Sequence, residues 1–272
     1  MLFLGAGASK GFGLVNWHEL VNLLRREVRL ADIPPPNNAD DLQHAADEVI
    51  DRLKSKDELG NLIQKCLYAN IPNLTTDIFE QHLLVSISAL LMGSKRGHVS
   101  RVITLNYDSM LEWFLSLFGF VVKTIDNLPA LEGSEDVKIY HPHGYVPHPE
   151  YSLDRSNEII LGMMSANKRI GTPGEPWFEM IRHLLNTGLC LFIGMSSNTL
   201  SDRALAPLFS TAGETHRGTR PLGIWLLLES LGSSQELIYQ RNNIVPLQFS
   251  TSKEISEFIL KIAQDSMKKT KS

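Results

Sequence analysis

The hydrophobic pattern changes character near residue 100. Before it, apolar residues recur at helical spacing; after it, short apolar runs alternate with helical stretches. Leu2-Phe3-Leu4 opens the chain as a brief buried strand that runs into Gly5-Ala6-Gly7-Ala8-Ser9. Asn16 and Glu19 have the spacing of a capping box, with Asn in the Ser/Thr place. Leu20, Val21, Leu24 and Val28 then mark a helix, and Pro34-Pro35-Pro36 reads as its end. A second stripe is Leu42, Ala45, Ala46, Val49, Ile50 and Leu53. A third is Leu59, Leu62, Ile63, Cys66 and Leu67, closed by Pro72. A fourth is Phe79, Leu83, Leu84, Ile87, Leu90 and Leu91, ending near Gly93. Residues 30 to 95 or so therefore read as a helical insertion beside a sheet domain.

From residue 101 the apolar runs are Val102-Ile103-Thr104-Leu105, Phe120-Val121-Val122, Val137-Lys138-Ile139-Tyr140, Leu189 to Ile193, Ile224 to Leu228, and Ile244-Val245-Pro246-Leu247. Helical patterns lie near 108–118, 176–187, 199–212 and 234–241, with a last helix from Ser252 to Met267. This alternation predicts an α/β fold, a parallel sheet with helices on both faces, in one domain spanning 1–272.

Composition narrows the function. The 272 residues are 43% hydrophobic and 21% charged, enough to bury a core and exclude disorder as the main state. The formal net charge of −4 argues against nucleic-acid binding by bulk charge, so this chain alone is not expected to bind nucleic acid. The cationic tail, Lys268, Lys269 and Lys271, reads as a frayed, solvated end. Cys66 and Cys190 are too few for a four-thiolate zinc site and read as reduced, buried thiols of a cytoplasmic protein. No run reaches the ~18 residues needed to span a bilayer, and the opening residues show no basic-then-apolar leader pattern.

In open α/β sheets, ligands bind beyond the carboxyl ends of the strands. Four such ends carry polar or glycine-rich loops: Gly5 to Ser9, Asn106-Tyr107-Asp108, His141-Pro142-His143-Gly144, and Gly194-Met195-Ser196-Ser197-Asn198. Gly5 and Gly7 would permit close approach of a diphosphate to free amides, or simply make a tight turn. Lys10 stands where the dinucleotide fingerprint wants a third glycine. Asp108 would either cap the following helix or serve the site. Asn106, an amide at a strand end, needs partners that a ribose diol would supply. His141 and His143 lack a third metal ligand nearby. His143 suits a general base, with a structural histidine as the alternative.

Together these residues resemble the SIR2-like (sirtuin-fold) family, in its zinc-free bacterial NAD+-consuming branch. The opening motif reads Gly5-Ala6-Gly7-Ala8-Ser9, Gly13-Leu14-Val15, Trp17, with Val15 in place of the usual proline. The second reads Thr104-Leu105-Asn106-Tyr107-Asp108, where deacylating members have Gln in place of Leu105. His143-Gly144 matches the catalytic His-Gly, and Gly194-Met195-Ser196 the later Gly-x-Ser. The resemblance implies a modified Rossmann fold that holds NAD+ and cleaves its nicotinamide–ribose bond without metal. It implies that Gly5, Ala6, Gly7 and Ser9 line the diphosphate. Asn106 and Asp108 would hold the nicotinamide ribose and the attacking water, and His143 would be the base. Gly194, Ser196 and Ser197 would meet the adenosine side. NAD+ glycohydrolase is the activity expected. Protein deacylation, ADP-ribosyl transfer and a non-catalytic NAD- or ADP-ribose-binding module are the alternatives.

Relatives of this branch deplete NAD+ in anti-phage defence, so the resemblance also implies a HerA-type ATPase partner. The four helical stripes exceed what one sheet edge covers, and a stand-alone NADase needs restraint. A homo-oligomer is therefore expected, with part of this helical block at subunit contacts or lidding the pocket and with charge substitutions at Leu62 or Leu84 dispersing it; a plain cap of four internally packed helices is the alternative.

Overall fold

The computed structural model describes residues 1–35, 39–69, 71, 82–93, 99–131, 133–149, 156 and 158–269. Pro36, Pro72, Phe79 and Lys271, which figure in the sequence reading, lie outside them. Seven strands form one all-parallel sheet: β1 Leu2–Leu4, β2 Arg101–Thr104, β3 Val122–Ile125, β4 Val137–Tyr140, β5 Cys190–Ile193, β6 Gly223–Leu227 and β7 Ile244–Gln248. Their order is β3-β4-β2-β1-β5-β6-β7.

The helices are α1 Trp17–Glu27, α2 Ala39–Ile50, α3 Lys56–Tyr68, α4 His82–Met92, α5 Met110–Leu117, α6 Met163–Ala166, α7 Pro176–Thr187, α8 Ala206–Thr215, α9 Ser233–Arg241 and α10 Ser252–Lys269. The last helix thus carries Lys268 and Lys269 within it rather than leaving them in a frayed end.

Alternation along each strand fills two core layers. Leu2 and Leu4 join Val102, Ile139 and Ile193 in the layer beneath α1, α4, α5 and α10. Phe3 and Phe192 point the other way, towards α7 and α8. There Phe3 lies 5.7 Å from Phe192 and 5.6 Å from Phe209, and Phe192 stacks on Trp225 at 4.8 Å. Even a three-residue strand is specified when every side chain is buried on one face or the other. Pro246 is tolerated because β7 is an edge strand, paired only with β6.

Two boundaries differ from the sequence reading. α1 stops at Glu27, well before the prolines. Arg29 adopts φ +62°, and Leu30 N donates to Arg25 O at 2.8 Å and Arg29 N to Arg26 O at 3.0 Å, a Schellman closure. The strand expected at Phe120-Val121-Val122 is Val122–Ile125. As a half-buried edge strand, its register follows pairing with β4 rather than the apolar peak. Residues 163–171, a short helix continued by a π-type turn, carried no helical stripe.

The helices between residues 30 and 95 divide. α2 and α3 pack on α1, whereas α4 packs on α10 and α5. Their stripes are internal: Leu42, Val49, Ile63, Leu67, Leu84, Ile87 and Leu91 are all buried. Leu62 is partly buried against the same layer. The buried members of these stripes are spent on internal packing, while Leu53, Leu62 and Leu83 stay partly exposed.

Candidate active site

β4, β2, β1 and β5 are neighbours, so the loops after them open on one place. From β1 the chain goes to β2 on one side, and from β4 it goes to β5 on the other. This is the switch point at which open α/β sheets bind ligands. A cavity of about 430 Å³ lies there, within the usual size of small-molecule sites. Trp17 and Leu20 of α1, Leu42 and Gln43 of α2 and Leu67 of α3 form its far wall. The helical block thus builds part of the site.

Gly5, Ala6, Gly7 and Ser9 line the cavity, yet the glycines answer first to the protein. Gly5 N donates to Ile193 O and Gly7 N to Gly194 O, both at 2.9 Å. A Cβ on Gly7 would stand 2.8 Å from Gly194 Cα, and one on Gly194, at φ +74°, 2.3 Å from Ala8 N. The two loops cross backbone to backbone, and only glycine fits. Gly7 N, Ala8 N and Ser9 N donate to Gly194 O, Gly5 O and Ala6 O. These bonds, with that of Gly5 N, take four amides of the loop out of the set expected to be free for a diphosphate. At the start of α1, Asn16 accepts from Glu19 N, and the Glu19 carboxylate accepts from Asn16 N. That carboxylate offsets the positive helix end.

Asn106, Ser9 and Asp108 form a polar chain. Asn106 Nδ2 donates to Gly5 O at 3.1 Å and to Ser9 Oγ at 3.2 Å. Ser9 Oγ donates to Asp108 Oδ1 at 3.1 Å. The two acceptors fix the amide, so its Oδ1 is on the other side, and Asn106 lines the cavity. Asp108 Oδ1 also accepts from Met110 N at 3.2 Å, so from the position before the N-cap Ser109 it holds the first amide of α5 while bordering the cavity. Burial pushes its carboxyl up to about 6.

His143 Nδ1 faces Leu105 O at 3.4 Å. A carbonyl only accepts, so Nδ1 carries the proton and Nε2 the lone pair. Nε2 is buried without a hydrogen-bond partner among the described residues, and His143 lines the cavity. Burial pushes its pKa down to about 4, assisted by the charge of Arg169. The imidazole is therefore neutral, with its basic nitrogen uncommitted. Gly144, at φ +81°, follows because a Cβ there would meet Glu158 O at 2.4 Å.

His141, the other half of the pair, sits in the core. Its Nδ1 faces Asn106 O at 3.1 Å and its Nε2 faces Glu112 Oε1 at 2.6 Å. Both atoms are thereby committed to the protein. Glu112 was missed by the sequence reading. The signal was a carboxylate among the apolar residues of Met110–Leu117. Among the described residues no cluster of three or more His, Cys, Asp or Glu could hold a metal.

On the β5 side, Gly194 and Ser196 line the cavity, but Ser197 does not. Ser197 is turned into the protein: its Oγ accepts from Gln235 Nε2 at 2.9 Å and its amide donates to Glu229 Oε1 at 2.5 Å. Its role is to hold the loop, a correction to the reading that gave it a ligand.

No helix among the described residues is long and apolar enough to cross a membrane. The family model described as SIR2-like domain matches residues 100–247. The match spans Asn106, Asp108, His143 and Gly194 and stops short of the glycine loop. No curated protein matches the chain.

Proposed function

The chain belongs to the SIR2-like family, and from that premise we propose that it is an NAD+ glycohydrolase, releasing nicotinamide and ADP-ribose. Family membership carries NAD-related chemistry; hydrolysis is the finer reading. The observation that supports it most is His143, which lines the cavity and whose buried Nε2 has no hydrogen-bond partner among the described residues. A buried acceptor without a donor is uncommon, and on a cavity wall it suits a reacting group.

In this reading NAD+ and water are the substrates. The bond from ribose C1′ to the nicotinamide nitrogen breaks, and its electron pair leaves with nicotinamide. Positive charge builds on the ribose as that bond stretches. Asn106 Oδ1, and Asp108 where ionised, present negative ends that suit this charge better than the ground state. Water oxygen bonds to C1′, and His143 Nε2 takes the proton that water gives up. Cys66 and Cys190 lie in opposite core layers and cannot share a thiolate module such as deacylating relatives use. Leu105, in the place of their Gln, also favours hydrolysis.

The test is to incubate the purified chain with NAD+ and follow nicotinamide and ADP-ribose. Release by the wild type, lost in His143→Ala, supports the reading. Retained NAD+ affinity without release would replace it with a binding module. A defence role beside a HerA-type ATPase extends the proposal. Its test is co-purification of the two proteins, with NAD+ loss dependent on both.

A further inference from the structure

Gln43 reaches the cavity wall from α2 and is more than nine-tenths buried. Its Nε2 donates to Asp202 Oδ2 at 2.6 Å. Asp202 is itself held in the turn leading to α8, where its Oδ1 accepts from Ala204 N at 2.8 Å and Leu205 N at 3.2 Å. The orientation of the Gln43 amide is therefore fixed. Its Oε1 is buried with no hydrogen-bond partner among the described residues. Leu42, Ile170, Ala204 and Leu205 of the same cavity lining supply apolar surface for the face of a flat heteroaromatic ring.

Resting on the NAD+ reading above, we propose that Gln43 is a ligand-contact residue. Its Oε1 accepts a hydrogen bond from an exocyclic amino group of the dinucleotide, which gives α2 a part in selecting the ligand. NAD+ has two such groups, the carboxamide of nicotinamide and the 6-amino group of adenine. The shared chemistry is an sp² amine on the edge of a flat ring.

Calorimetry on the full chain carrying His143→Ala, which slows turnover, tests this with three dinucleotides. They are NAD+, deamido-NAD+ (carboxylate for carboxamide) and nicotinamide hypoxanthine dinucleotide (oxygen for the adenine amine). We expect about tenfold or greater loss of affinity for one analogue, which identifies the end recognised. Gln43→Met should erase that difference by lowering NAD+ affinity to the level of the analogue. Asp202→Asn supplies an independent variant that keeps the Oδ1 bonds of the turn. Its new amide donates to Gln43 Oε1 and turns Nε2 towards the cavity, so the preference should invert towards the oxygen-bearing analogue. Equal ratios in the parent and in both Gln43→Met and Asp202→Asn would overturn the assignment. Failure of the parent to bind any of the three would overturn the NAD+ reading itself, and the assignment with it.

Discussion

Glu112 Oε1 lies 2.6 Å from His141 Nε2, and both side chains are enclosed by the core. The other ring nitrogen faces Asn106 O, so two acceptors flank one imidazole. That arrangement calls for the doubly protonated ring. Burial alone would lower the His141 pKa, but the charge and hydrogen bond of Glu112 outweigh it and the net direction is up. The pair fixes the backbone from which Asn106 reaches the cavity.

Glu112→Ala leaves a buried histidine without its counter-charge and should destabilise by about 3–5 kcal/mol, read by chemical denaturation. The pH dependence follows from the raised pKa. The unfolded ring titrates near 6.5 and the folded one higher, so the stabilisation is complete below about 6.5. It is lost as pH rises through the folded value. The stability gap between wild type and Glu112→Gln should therefore narrow above neutral pH. A gap that widens there would contradict the charged pair.

His143→Ala should reduce nicotinamide release by ~10²- to 10⁴-fold, the usual range for a positioned base. It removes an unpartnered buried nitrogen but also the contact with Leu105 O and the ring beside Tyr107, so the fold should persist with a modest loss of about 1–3 kcal/mol. Large unfolding instead would give His143 a structural role.

In Asp108→Asn, which removes the carboxyl raised to about 6, the acid limb of kcat/KM should follow His143 near 4, not the ordinary histidine value. A base works unprotonated, so the rate falls as pH drops through that value and is level across neutrality. A limb centred near 6.5 that persists in this variant would assign the base elsewhere.

Asp108→Asn keeps an oxygen for Ser9 and Met110 while removing a buried charge. The folded carboxyl of Asp108 is raised to about 6 from 3.8, so its ionisation opposes folding as pH climbs between those values. The stability of Asp108→Asn relative to wild type should therefore improve from about pH 4 to 6, by up to ~3 kcal/mol. A constant difference over that range would mean an unshifted carboxyl.

Gly194→Ala and Gly119→Ala make a matched pair, at φ +74° and +73°. A Cβ at Gly119 meets nothing within 4 Å, whereas at Gly194 it meets Ala8 N at 2.3 Å. Gly119→Ala should cost about 1–2 kcal/mol of left-handed strain. Gly194→Ala should cost clearly more and also weaken NAD+ binding. Equal melting temperatures for the two would remove the crossing of the loops as a constraint.

The sheet was largely legible because its strands are buried on both faces and carry continuous apolar runs. Val137–Tyr140 and Pro176–Thr187 are placed as the pattern predicts. Where exposure enters, the signal fades: β3 is half solvent-facing, and Lys123 and Thr124 hide it. In the site, Asn106 and His143 were visible because polar residues after a buried strand have few other uses. Gln43 was hidden on a helix as one polar position among many, since nothing in the spacing says which face meets the cavity. Ser197 misled because adjacent residues of a loop, Ser196 and Ser197, point to opposite sides.

The central position of β1 has a consequence for how the molecule is assembled. Leu2 pairs with Val102 on one side and Leu191 on the other, so the middle of the sheet joins segments far apart in the chain. Closing such long loops is entropically slow. Until β2 and β5 arrive, Leu2, Phe3 and Leu4 form an apolar segment with both edges open, a template for wrong pairing. The glycine crossing cannot form earlier, because its other half follows β5. Substrate-binding competence should therefore be among the last properties to appear on refolding, after the helical signal has already recovered.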